Sequence, residues 1–147
     1  MTQEERELLL KDLSARLPYG VKGRYCLYDS KGNLTDWGNE SEIVENIDFK
    51  ECKIWTDDTV QGYHFDEFKP YLRPMSSMTE KEKKAFDEFV CIDEFAWNGD
   101  TEKGYPNQAI IMSDGIDWLL SHHFDYRGLI EKGLALEAPE GMYIMNN

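Results

Sequence analysis

The sequence predicts a single α+β domain: an antiparallel β-meander packed against about three helices. Three observations carry that prediction. A chain of 147 residues has the size of one domain. Two Thr-x-x-Glu capping boxes, at Thr2 and Thr79, each precede apolar residues at helical spacing. Between them lie short aromatic and β-branched runs separated by Gly, Asn and Asp, the signature of strands joined by turns. Hydrophobic residues make up 41% and aromatics 13%, enough to build a core.

Taken in order, Thr2 caps a first helix that Pro18 and Gly20 end. Leu9, Leu10, Leu13 and Leu17 form its apolar stripe, and Arg6, Lys11, Asp12 and Arg16 are assigned to the opposite face. Residues 24–28, a turn at 29–33 and residues 34–37 read as a β-hairpin. Residues 42–47 form a short strand or a turn of helix, 51–56 a strand with one wet face, and 62–68 a weaker strand. Residues 69–74 are extended because the residue before each proline is pushed out of the helical region.

Thr79 opens a second helix, through about residue 89 by its period, with Ala85, Phe86, Phe89 and Val90 on the apolar side. Residues 93–107 read as an exposed acidic loop and 108–112 as a buried strand. Ser113 caps a third helix that ends near His122, with Ile116, Leu119, Leu120 and His123 turned inward. Residues 133–137 add a last short strand.

The net charge of −13 is the strongest global feature. Residues 32–68 hold ten acids against Lys50 and Lys53, and residues 87–125 hold nine against Lys103. Such a surface repels phosphate backbones, which argues against direct nucleic-acid binding. It suits a basic protein partner, mimicry of nucleic acid, or simple solubility. No apolar run approaches the roughly 20 residues that span a bilayer, and the acidic start does not resemble a secretory signal, so a cytoplasmic protein is expected. Cys26, Cys52 and Cys91 are too few and too far apart for a disulfide framework and read as reduced thiols.

Chemistry-bearing motifs are scarce. The chain has no nucleophile elbow, phosphate-binding loop, dinucleotide fingerprint or zinc-protease motif. No cofactor and no catalytic residue is assigned. His122 and His123 are adjacent, and neighbours on a helix point about 100° apart. They read as groups that cap the helix end rather than as metal ligands. Asp125 and Arg127 complete this set of structural ties, with Arg127 joining the helix end to the sheet. Phe95 and Trp97, set in the acidic loop, are the candidates for contact with a partner.

Three pieces carry a resemblance: Leu17-Pro-Tyr-Gly-Val21, the run from Lys69-Pro-Tyr-Leu-Arg-Pro to Glu80, and the run from Asp117-Trp through His122-His-Phe-Asp-Tyr-Arg-Gly to Gly133-Leu-Ala-Leu-Glu-Ala-Pro-Glu-Gly-Met-Tyr143. Together they resemble a family of small uncharacterised proteins of gut Bacteroides-type bacteria and of their phages and mobile elements. The resemblance covers about a third of the chain. The family has no assigned activity, so no residue role follows from it. It implies a bacterial or phage setting and an accessory role. The expectation is therefore a non-enzymatic acidic accessory protein that binds another protein. The alternatives are a nucleic-acid mimic that inhibits a DNA-binding protein and, with least support, a small hydrolase.

Overall fold

The Thr2 hydroxyl accepts the Glu5 amide at 3.1 Å, and the Glu5 carboxylate accepts the Thr2 amide at 2.9 Å. This reciprocal cap satisfies two otherwise orphaned donors and starts helix α1 (Gln3–Arg16). The computed structural model describes residues 1–90 and 113–143. Leu9 and Leu13 of α1 are fully buried, while Leu10 and Leu17 are partly buried beside them. Pro18 lies in a single 3-10 turn, and Gly20 at φ +68° reverses the chain into the sheet.

Among the described residues seven strands follow: β1 (Lys22–Tyr28), β2 (Leu34–Trp37), β3 (Glu42–Asp48), β4 (Lys53–Thr56), β5 (Tyr63–His64), β6 (Phe68–Leu72) and β7 (Leu136–Glu137). Their order is β5-β4-β3-β1-β6-β7, with β2 paired to the far end of β1. All pairs are antiparallel except β6 with β7. Residues 42–47 are thus strand rather than helix. The fold is α+β, as the sequence predicts, and β3, β4 and β5 follow one another as a meander.

Chain order alone misses the return of β6 across to β1. The extended prolyl segment becomes a strand inside the sheet, with Gly23 opposite Pro70. Strand β7 pairs only with Tyr71 and Leu72, so Pro70 has no ladder to break on that side. Gly23 is required here. A Cβ at that position would overlap the Phe68 ring and stand 2.7 Å from the Lys69 carbonyl. The Phe68 ring therefore packs over a position that only a residue without a side chain leaves open.

One core layer lies between α1 and the sheet. It joins Leu9 and Leu13 to Val21, Val44, Ile54 and Phe68. Leu129 and Leu134 close it from the C-terminal tract. A second, smaller cluster gathers Met78, Leu119 and Phe124, with Phe86 and Trp118 half-buried around them. Helix α2 (Glu80–Val90) contributes Phe86 to it, and helix α3 (residues 113–121) contributes Trp118 and Leu119. Thr79 and Glu82 form the expected second capping box, with both bonds at 3.1 Å. Ile116, expected to point inward, is 40% exposed. The packed face of α3 centres on Leu119 and Leu120, a turn further along.

Candidate functional site

Residues 118–130, the densest run of functional side chains, form a joint between three parts of the fold. The chain leaves α3 with the His122 ring stacked on Trp118, centroids 3.9 Å apart, and His122 Nδ1 2.9 Å from the Trp118 carbonyl. His123 takes a left-handed backbone, φ +63°, and its ring turns to stack on Tyr143 at 3.7 Å. The two imidazoles thus pack on different aromatic rings. Asp125 accepts the amides of Leu129 and Ile130, each at 2.9 Å, and so fixes the next turn. Arg73 anchors the segment to β6. Its amide donates to the His123 carbonyl at 2.7 Å, and its guanidinium lies 4.2 Å from the Phe124 ring centroid while gripping Glu82 through two bonds of 2.7 and 2.8 Å. That grip holds the Glu82 carboxyl down to about 2.

Asp12 and Arg16 overturn the expected surface of α1. Both side chains are fully buried, not on a solvated face. Arg16 donates to Asp12 through Nε at 2.6 Å and Nη2 at 3.1 Å, and Nη2 also donates to the Phe124 carbonyl at 2.6 Å. Arg127 Nε stands 3.3 Å from Asp12 Oδ1, so Arg127 ties the C-terminal turn to α1 rather than to the sheet. The spacing carried the signal: positions 9, 12, 13 and 16 share one helical face. Burial, reinforced by Arg16 and Arg73, pushes the His123 imidazole down to about 4. Tyr143 closes the assembly. Its hydroxyl donates to the Tyr71 carbonyl at 2.7 Å and accepts the Lys22 amide at 2.9 Å. Burial raises its pKa far above the usual phenol range.

On β3, opposite Gly23 of β1, Glu42 is buried and accepts the hydroxyls of Thr56 at 2.6 Å and Tyr63 at 2.8 Å. Burial and this bond push the Tyr63 hydroxyl up to about 12. Above this triad the end of the β3–β4 pair presents Glu40, Glu45, Asp57 and Asp58, all exposed. Asp57 braces the ladder by accepting the Ile43 amide at 2.9 Å, and Asp58 accepts the side-chain amide of Asn39. Two apolar side chains on the same segments are exposed: Ile43, bonded through its amide to Asp57, at 40%, and Val60, two residues beyond Asp58, at 92%.

A cleft of about 770 Å³ opens between the start of α1, the β1–β2 hairpin, residues 64–69 and the turn at 132–134. Tyr25, Phe65 and Phe68 contribute its aromatic lining, and Arg6, Lys69 and Lys132 its cations. The Tyr25 ring is the end of a stack that continues through Tyr63 at 4.4 Å to Phe68 at 5.9 Å. Sequence reasoning missed the cleft because its walls come from five separate segments, Cys52 being the fifth. Phe95 and Trp97, singled out from the sequence as partner contacts, lie outside the described residues. No family model, curated protein or solved structure matches the chain.

Proposed function

We propose that this is a non-enzymatic accessory protein of a bacterium, phage or mobile element, acting in the cytoplasm by binding a basic protein through the end of its β3–β4 pair. The observation that supports this reading is that Ile43 and Val60 are exposed on the same two segments, 40–45 and 57–60, that carry the exposed Glu40, Glu45, Asp57 and Asp58. Protein interfaces combine apolar contact at the centre with a polar rim. Complementary charge accelerates encounter and fixes orientation. The acids also fit the overall charge of −13, which favours a cationic partner. No described helix is long and apolar enough to cross a membrane.

The test is affinity capture from a gut Bacteroides lysate with the parent chain, with Val60→Asp and with Asp57→Lys/Asp58→Lys as baits. A basic protein retained by the parent and lost by both variants is the expected result, with retention falling as salt rises. Equal retention by all three baits would remove this face from the proposal. A partner that duplex DNA displaces would make the face a mimic of nucleic acid instead.

A further inference from the structure

We infer that the cleft beside the start of α1 is a binding site for a small aryl anion, a planar aromatic group carrying a carboxylate, sulfonate or phosphate. At about 770 Å³ the cleft has the size of a small-molecule site, for which roughly 300–1,000 Å³ is usual. Its lining supplies both halves of such a ligand's recognition. The half-buried Tyr25 and the exposed Tyr28 offer aromatic surface, Leu27 extends it, and the buried Phe65, Phe68 and Leu134 back it from the core.

The charged lining is unlike the rest of the molecule. The chain carries 29 acids against 16 Lys and Arg. In the cleft, Arg6, Lys69 and Lys132 face an equal number of acids, Glu5, Asp66 and Glu67. Two of those acids are already engaged. Glu5 accepts the Thr2 amide, and Glu67 accepts the Tyr25 hydroxyl at 3.3 Å and the His64 amide at 3.3 Å. None of the three cations lies within 4.0 Å of a carboxylate among the described residues. Elsewhere the described arginines Arg16, Arg73 and Arg127 are held against Asp12 or Glu82. The cleft thus pairs aromatic surface with uncommitted cations, whereas the charged groups at the exposed end of the β3–β4 pair are Glu40, Glu45, Asp57 and Asp58. An aryl anion satisfies both: the ring stacks on the aromatic lining and the anion accepts charge-assisted hydrogen bonds.

The probe is 8-anilinonaphthalene-1-sulfonate, which joins an aryl system to an anion and fluoresces when shielded from water. Titrated into the folded full chain, it should give a saturable increase with one site per chain. Arg6→Glu/Lys132→Glu should weaken its binding at least tenfold, with near-ultraviolet circular dichroism unchanged. Nile red, a neutral dye, should bind parent and variant alike. Should the double reversal disturb the fold, Arg6→Gln/Lys132→Gln replaces it and should weaken the sulfonate at least threefold. Amide shifts on adding the probe should concentrate at residues 65–69 and 132–134. Absence of saturable binding, equal sulfonate binding by folded parent and variant, or shifts confined to other parts of the fold would each overturn the proposal.

Discussion

Arg16 and Asp12 form a two-bond ion pair, 2.6 and 3.1 Å, with neither side chain exposed. Removing one partner from a buried pair leaves a charge that water cannot reach, at a cost of about 3–5 kcal/mol. Arg16→Ala should show that loss in urea denaturation. Asp12→Leu/Arg16→Met/Arg127→Met should recover at least half of it, because Arg127, whose Nε stands 3.3 Å from Asp12, is removed with the pair and no stranded charge remains. A single-variant loss below about 1 kcal/mol would show that water enters the site.

Leu13 sits fully buried between α1 and the sheet. Leu13→Ala should cost about 2–5 kcal/mol, with a cavity left behind. Leu10→Ala, at a partly buried position of the same helix, should cost clearly less. Equal losses from the two would displace the helix from the orientation described.

His123 links stability to pH. Its ordinary value is 6.5 and the folded protein holds it at about 4. The unfolded chain takes up the proton first, so stability falls as pH drops from about 6.5 to about 4 and this contribution is constant below that. At about 1.4 kcal/mol per pH unit the loss reaches about 3 kcal/mol. Glu82 adds a separate loss at lower pH, from its ordinary 4.5 down to about 2. His123→Asn suits the left-handed backbone, which Asn tolerates, and should flatten the profile between pH 6.5 and 4 while leaving the Glu82 arm intact. An unchanged slope in that window would assign it to another group.

Gly23→Ala should destabilise by about 1–3 kcal/mol or more, the range for overpacking. The new methyl must displace the Phe68 ring. Gly23→Ala combined with Phe68→Leu should lose less than the two single changes summed. Strict additivity by denaturation would show that the residues do not meet.

Much of the architecture was legible where the signal is local. The capping boxes at Thr2 and Thr79 and the hairpin at residues 24–37 depend on neighbours a few residues apart, and all three stand in the fold. Asp12 and Arg16 were misplaced because charge was taken as exposure. Their burial rests on the distant Phe124 carbonyl. The pairing of β6 with β1 was equally hidden, since nothing in the prolyl run names its neighbour. The cleft depends on the same long-range return and could not be read from any single segment.

Tyr143 joins residues that are far apart along the chain. Its hydroxyl meets Lys22 across 121 positions and Tyr71 across 72. Synthesis proceeds from the N-terminus, so α1 and the first strands leave the ribosome long before their last fastening exists. Until residue 143 emerges, the paired ends of β1 and β6 wait with the Lys22 amide and Tyr71 carbonyl unfastened. The β1–β6 ladder can therefore form before its Tyr143 fastening, which closes two long loops of chain at once.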